Sequence, residues 1–361
     1  MKNYKIAIGS VIVDGPWGGG NLFAKNLWEF LEEKNFIVVN NLDDSDIDII
    51  LLTEPRLESY SSSISSIEAK LYKKFINKNV KIIHRINECD ERKNTNYVNK
   101  RISKINKVAD HTVFVSEWLM NIYTKYGLNT KESSVILSGS NKRIFNSENF
   151  YPKGKKEIAK LVTHHWGNDW NKGFTIYKKI DEMLDNKKYK EKFEFNYIGN
   201  IPKNFQFKNT KVVNPLSGKK LAEEIKKNNI YVTASINEPS GNHHIEGALC
   251  GLPVLYINSG GIPEYCHEYG VMFEEDSFEI KLDEIITNYD IYYEKTKSYR
   301  FDSELMCLNY EKLFLKLLNN SKKEKSNFKI NIFKFKLTKI ITKIIKNVFM
   351  YLEYQFRKVI K

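Results

Sequence analysis

"EPSGNHHIEGALCGLPVLYINSGGIPEY", residues 238–265, sets two carboxylates, Glu238 and Glu246, at the two ends of one loop-to-helix passage. The preceding "NIYVTAS" ends an apolar strand near Ser235, and "INEPSGN" reads as the loop that leaves it. "HHIEGALCG" then continues as a helix that stops at Gly251, the residue type that most readily ends one. Ser240 or Asn242 is placed to cap this helix, whose first N–H groups lack intrahelical acceptors and point above the strand ends. A helix tip of that kind suits an anion, a diphosphate above all. Glu246 falls about one turn inside the helix and Glu238 hangs from the loop, so the pair can touch opposite ends of one elongated ligand. Either glutamate alone reads as well as a solvated side chain beside a capped helix; the whole string is what sets them apart.

The same alternation runs outward in both directions. "YKIAIGSVIV" (4–13) reads as a buried strand ending at the glycine loop "DGPWGGGN" (14–21). "LFAKNLWEFLEEKNF" follows with Leu22, Phe23, Leu27, Phe30 and Leu31 at helical spacing. Further apolar runs are "IDIILLTE" (47–54), "VKIIHRIN" (80–87) and "HTVFVSEW" (111–118). A second series begins near 157 with "EIAKLVTHH", "KFEFNYIGN", "TKVVNP", "NIYVTAS" and "LPVLYIN", with helices over about 175–187, 218–228 and 242–251 between them. Two alternating series predict an α/β protein of two doubly wound, Rossmann-like domains facing across a cleft. The expected divisions are 1–152, 153–300, a helix over 301–320 that crosses back to the first domain, and a basic amphipathic tail, 321–361. Ligands of doubly wound sheets bind beyond the carboxyl ends of the strands, so the cleft is the expected site.

With 361 residues, 42% of them hydrophobic, the chain can bury two ordinary cores, and global disorder is excluded. Residues 321–361 hold twelve Lys/Arg against two acids, +10 of the net +13, leaving about +3 on residues 1–320. A nucleic-acid groove would carry its charge on the folded body, so no nucleic-acid partner is expected. Cys89, Cys250, Cys266 and Cys307 lack metal-site or disulfide-framework spacing and read as reduced thiols of a cytosolic protein. The N-terminus reads as a first strand, not a secretory signal.

The 238–265 string closely resembles the donor-site signature of the retaining GT-B glycosyltransferases of glycosyltransferase family 4 (glycosyl transferases group 1). The matching residues are Glu238, Glu246, "GLPV" (251–254), Gly260, Gly261 and Glu264. The resemblance implies that Glu246 binds the ribose hydroxyls of a nucleotide diphosphate sugar. It further implies that Glu238 binds the transferred sugar, that backbone amides near Gly241, Asn242 and His243 hold the diphosphate, and that Gly260 and Gly261 belong to the donor site. "LVTHHWGNDWNKGF" (161–174) resembles the family's Lys-Gly motif, which makes Lys172 the cation for the leaving diphosphate. Where many members carry an arginine about five residues earlier, this chain reads "HHWGN"; His164, His165 and Arg143 are the candidate replacements. Gly18, Gly19, Gly20 and Asn21 stand where the family's glycine loop faces the donor phosphates. His84, Arg85 and Asn87 close a strand on the acceptor side, although Arg85 could equally pair with Glu88 or Asp90.

Two patterns point elsewhere. "DDSDID" (43–48) satisfies a DxD metal–diphosphate motif but leads straight into a strand, and the histidine pairs at 164–165 and 243–244 lack zinc-ligand spacing. No metal or other cofactor is expected. In the tail, Leu337, Ile340, Ile341, Ile344, Ile345, Val348 and Leu352 share one helical side, interrupted by Lys336, Lys339, Lys343 and Lys346. The apolar run is too broken to span a bilayer, and its pattern suits the surface of an anionic membrane; docking on the protein's own body or on a partner chain is the alternative. The combined expectation is a peripheral enzyme on the cytosolic face of the membrane, moving a sugar from a nucleotide sugar to a saccharide or lipid-linked saccharide in surface-polysaccharide assembly. A same-fold phosphorylase or epimerase, or a sugar-nucleotide sensor, would use the same cleft.

Overall fold

The computed structural model describes residues 3–13, 18–57, 59–128, 131–319 and 331–359. Residues 14–17 of the glycine loop and 320–330 of the tail lie outside the described residues, as do the side chains of Lys346 and Leu352. Among the described residues are two six-stranded parallel sheets. The first contains β1 (Lys5–Ile8), β2 (Ile37–Val39), β3 (Ile49–Leu52), β4 (Lys81–Ile86), β5 (His111–Phe114) and β6 (Ser133–Val135) in the order β2-β1-β3-β4-β5-β6. The second contains β7 (Ala159–His165), β8 (Phe193–Gly199), β9 (Lys211–Val213), β10 (Ile230–Thr233), β11 (Val254–Ile257) and β12 (Gly270–Phe273) in the order β12-β11-β10-β7-β8-β9.

Central strands β3, β5, β10 and β11 are buried at every residue, which is why they show no alternation of apolar and charged positions. The edge strands β2, β6 and β12 are only three or four residues long and carry no period that a sequence reading could register. β1 is shorter than "YKIAIGSVIV" suggests. It stops at Ile8, and Ser10 makes a single antiparallel bridge to Ser62. Asp44 and Asp46 of the acidic run hold the Lys5 ammonium at 3.0 and 2.7 Å, and Asp48 accepts the Lys5 N–H at 3.0 Å. They serve the entry of β3.

Each sheet reverses its winding once, between β1 and β3 in the first and between β7 and β10 in the second. Such switch points open a crevice at the strand ends. The glycine segment leaves β1, the Lys172 loop leaves β7 and the Glu238 loop leaves β10, so all three open on those crevices.

The chain passes between lobes twice, and the two passages lie side by side. Ser140 bridges Asp302, and the Ser303 N–H donates to Ser140 O at 2.8 Å. Phe145 and Phe150, placed by sequence in the first domain, pack into the second lobe's core. The helix Ser303–Asn319 returns to the first lobe, with Met306, Cys307, Tyr310 and Phe314 in one cluster with Ile6, Ile8, Phe23 and Leu27. The four cysteines are buried and unbonded to one another.

The helix Ile332–Val359 lies on the helix Ser66–Phe75. Phe335 is buried against Tyr72 at 5.7 Å between ring centroids, and Lys339 pairs with Asp43 at 2.6 Å. Ile332, Phe333, Leu337, Ile340, Ile341, Ile344, Ile345 and Val348 stay exposed. No helix among the described residues is long and apolar enough to cross a membrane.

Candidate active site

Lys172 ends a short 3-10 turn, Trp170–Lys172, after β7. Gly173 follows at φ 101°, and a β-carbon there would stand 2.7 Å from Ala234 at the end of β10. Only glycine combines that dihedral with that approach. The Ile236 N–H donates to Asn171 O at 2.8 Å, so the lysine loop is sewn to the strand end that leads to Glu238. Lys172 Nζ stands 2.7 Å from Glu238 Oε2.

Glu238 is 6% exposed. Its second oxygen, Oε1, accepts from Arg92 Nε at 2.9 Å, across the cleft from the first lobe. Burial by itself would raise the Glu238 carboxyl, but Lys172 and Arg92 outweigh it and hold the group below its usual range. Gly260 (φ 64°) and Gly261 lie on the backbone of this loop, where added β-carbons would stand 2.4 Å from Glu238 O and 2.4 Å from Pro239 O. Assigned to the donor by resemblance, they instead seat the Glu238–Pro239 loop through close backbone packing.

The helix Asn242–Leu249 begins without a side-chain cap at Gly241. Neither expected cap is used: the Ser240 hydroxyl lies 3.0 Å from Tyr265 Oη, and Asn242 is already helical. The helix Gly19–Glu33 of the first lobe likewise starts without a side-chain cap at Gly18. A β-carbon on Gly19 would touch the Asn242 side chain at 3.4 Å, so the two helix tips, neither capped by a side chain among the described residues, meet across the cleft. Gly19, Gly20 and Asn21 are therefore the first turn of a helix and not the body of a loop. Asn21 clamps the loop, accepting from Val13 N–H at 2.9 Å and donating to Val13 O at 2.8 Å.

Glu246, 5% exposed, accepts from His164 Nε2 at 2.9 Å, and Ser140 Oγ of the other lobe lies 3.4 Å from its Oε1. A carboxylate oxygen only accepts, so the Glu246 contact assigns the ring proton to Nε2 and leaves Nδ1 to accept from Tyr231 Oη at 3.0 Å. His165 contacts Tyr177 Oη at 2.8 Å and His243 contacts Thr233 Oγ1 at 2.7 Å, so both rings point into the core beneath the helix tip. Only the backbone amide of His243 can serve an anion. Burial drives His165 and His243 well below the ordinary histidine value and His244 down to about 3.

Two acceptor-side candidates leave the cleft. His84 sits inside β4, bonded to Asn106 at 2.7 Å, and burial takes it down to about 4. Arg85 pairs with neither Glu88 nor Asp90; its guanidinium stacks on Phe23 at 4.1 Å and reaches Ser138 Oγ at 3.4 Å. Both lie within a strand, where alternation turns side chains onto the packed helices. Asn87, one residue past β4, remains at the strand end. His165 and Arg143 also fail as second cations. The first is buried in the core, and the second is 78% exposed, 3.5 Å from Glu33.

Arg92 and Tyr265 were not picked out from sequence, and Glu264, matched as part of the signature, was given no role there. Arg92 follows β4 in the same "INECDERK" loop, and its position after a strand end was the available signal. Glu264 accepts from the N–H groups of Glu117 (2.8 Å) and Trp118 (2.9 Å), capping a first-lobe helix from the second lobe. Tyr265 Oη donates to Val115 O at 2.7 Å and accepts from Ser138 N–H at 2.9 Å. Arg92, Lys93, Asp169, Trp170, Lys172 and Glu238 contribute to the lining of a cavity of about 390 Å³.

Two facing Rossmann-like lobes with the site between them define the GT-B architecture, and known structures agree. A glycosyltransferase from Rickettsia africae ESF-5 superposes with a TM-score of 0.63 at 15% identity, covering 89% of this chain and 100% of that one. The catalytic domain of starch synthase IV from Arabidopsis thaliana, bound to ADP and acarbose, gives 0.64 at 11% identity over 89% and 100%. HepE of Anabaena, in complex with UDP and glucose, gives 0.61 at 13% identity over 87% and 100%. Residues 200–300, which include Glu238 and Glu246, match the family model "Glycosyl transferases group 1". No curated protein sequence matches the chain.

Proposed function

We propose that this protein is a retaining glycosyltransferase of family 4 that moves a sugar from a nucleotide diphosphate sugar to an acceptor hydroxyl. The observation that carries the reading is the meeting of two helix tips, at Gly19 and Asn242, beside the Lys172–Glu238 pair. Helix tips and a lysine aimed at one point stabilise charge that develops on a leaving diphosphate. HepE holding UDP and glucose within the same fold supports a nucleotide sugar as donor.

The roles are those the resemblance implies, and the contacts are compatible with them. Glu246, fixed by His164, takes the ribose hydroxyls; Glu238 takes hydroxyls of the transferred sugar. Lys172 and the amides near Gly241 and Gly19 take the diphosphate. The cations of this site are side chains and helix ends, so we read the charge compensation as protein-borne, without a metal. Retention follows from a front-face route in which the acceptor approaches from the side the diphosphate leaves. The test is a screen of nucleotide sugars by thermal shift and turnover, with Glu246→Ala alongside and the product anomer read by NMR. Turnover by the parent with configuration kept, unchanged by EDTA, and at least tenfold weaker donor binding in Glu246→Ala are expected. A variant that binds and turns over donor like the parent removes the site assignment, and turnover that requires free phosphate makes the enzyme a phosphorylase.

The tail supports a lipid-linked acceptor at the cytosolic face of a membrane. Its helix is docked through Phe335 while the Ile and Leu side chains of the opposite face stay exposed among lysines. Each basic residue near an anionic surface contributes about 1 kcal/mol. The full chain is expected to sediment with phosphatidylserine-containing vesicles and not with pure phosphatidylcholine ones. Changing Ile340 and Ile344 together to Asp should weaken that binding about tenfold or more; equal sedimentation with both vesicle types would end the membrane reading.

A further inference from the structure

We propose that Arg92 supplies the second cation for the donor diphosphate, delivered from the lobe opposite Lys172. The inference deepens the glycosyltransferase reading and rests on it. Glu238 spends one oxygen on each cation, Lys172 at 2.7 Å and Arg92 at 2.9 Å, and the cavity they share is lined by three cations, Arg92, Lys93 and Lys172, against two carboxylates, Glu238 and Asp169, which leaves a cation in excess. A chain gains nothing by collecting that surplus over a 390 Å³ cavity unless an anion enters it. A nucleoside diphosphate leaving a sugar carries more negative charge than a single lysine offsets.

The arginine is held there by design of the loop. Asp90, 6% exposed, accepts from Thr95 Oγ1 at 2.6 Å, Val98 N–H at 2.8 Å and Asn99 N–H at 2.9 Å, which pins the turn Asp90–Lys93 to the next helix. The second lobe grips the same turn by its backbone. Asn171 Nδ2 donates to Arg92 O at 3.3 Å, and Asn237 Nδ2 donates to Glu91 O at 3.2 Å. Asn171 and Asn237 are the immediate neighbours of Lys172 and Glu238, so the turn is docked onto the two loops that carry the donor machinery. Arg92 engages Glu238 through Nε alone, and among the described residues its terminal nitrogens have no acceptor. A guanidinium presents those nitrogens as a planar fork that matches two phosphate oxygens.

In the transfer, the bond from the sugar C1 to the diphosphate oxygen breaks and its electron pair stays on that oxygen. The acceptor oxygen bonds C1, and its proton passes to the departing phosphate. Arg92 and Lys172 stand on the charge that gathers there, one from each lobe. Because Arg92 belongs to the first lobe, the diphosphate is fully compensated only when the lobes are together, which ties donor activation to lobe closure.

The test uses the full chain with Arg92→Gln and Arg92→Lys. UDP, GDP, ADP, CDP and dTDP, and the corresponding monophosphates, are titrated calorimetrically, and turnover is measured with the matching nucleotide sugar. The parent should prefer one diphosphate over its monophosphate. In Arg92→Gln the diphosphate should bind at least about tenfold more weakly and kcat should fall about 100-fold, with monophosphate affinity changed less than about twofold. Arg92→Lys, which keeps the charge and the partner, should recover part of both. Diphosphate binding and kcat equal to the parent's in Arg92→Gln would overturn the proposal and leave the glycosyltransferase reading standing. Equal losses for mono- and diphosphate would also overturn it, by reducing Arg92 to a stitch between lobes. A parent that binds none of these nucleotides removes the functional reading itself and the proposal with it.

Discussion

Under the proposed transfer from a nucleotide sugar, Lys172→Ala is expected to lower kcat by about 10²–10³, with a much smaller change in KM. The split follows from where the charge is. On that proposal, the ground-state diphosphate shares its charge with the sugar bond and with the helix tips at Gly19 and Asn242. As the bond breaks, new charge gathers on the leaving oxygen, and a lysine beside it is worth most at that moment. The fold should survive the change. Glu238 is buried and loses one partner but keeps Arg92, so the cost stays below the roughly 3–5 kcal/mol of leaving a buried charge unpaired. The check is a comparison of kcat, KM and thermal midpoint with the parent. A variant whose kcat is within tenfold of the parent's would mean that Lys172 faces something other than the leaving group.

The second large effect is on stability in acid. His84 is held down at about 4 and His244 at about 3, in each case chiefly by burial, against an ordinary value of 6.5. Around His244, Glu238 pulls the value up and His164 pushes it further down, both weaker than the burial. A depressed histidine is neutral in the fold and takes a proton in the unfolded chain once the pH drops below 6.5. The stability it contributes is thus whole above pH 6.5 and is lost progressively toward pH 4 and 3. Each such group costs up to about 1.4 kcal/mol per pH unit. Two of them over about two units remove up to roughly 5 kcal/mol, against a total of about 5–15 kcal/mol for a folded domain. His165 and His243, depressed by the same burial, act in the same direction. The thermal midpoint should therefore fall by about 10 °C or more between pH 7 and pH 4.5, and less steeply in His84→Gln. A flat midpoint across that range would show that these rings are not buried as described.

The parallel sheets were legible because their central strands are mostly buried and rich in Ile, Val, Leu and aromatic residues. β4, β7, β8, β10 and β11 stand out as runs bounded by loops and helices, and a buried parallel strand needs no other signal. What exceeded the reading was the length of β1 and the existence of the short edge strands. The register of three or four residues depends on a neighbour strand that is distant in sequence, as β6 depends on β5. His84 and Arg85 were misplaced for a related reason. Proximity to a strand end suggests the cleft, but β4 continues through Ile86, and the side-chain directions within it are fixed by the pleat and by the helices on each face.

The sequence by itself determined the alternating architecture and the local pieces of chemistry: the Glu238–Glu246 spacing, the lysine before Gly173 and the glycines at 18–20. Those are short-range facts, set by neighbours a turn or a loop away. The pairing of Arg92 with Glu238, 146 residues apart, the capping of one lobe's helix by Glu264 of the other and the meeting of Gly19 with Asn242 were decided only in three dimensions. Each depends on how two sheets built separately are set against each other. That setting is fixed by the paired chain crossings at Ser140 and Asp302 and by the returning helix, where contacts between distant segments leave no spacing in the chain to be read.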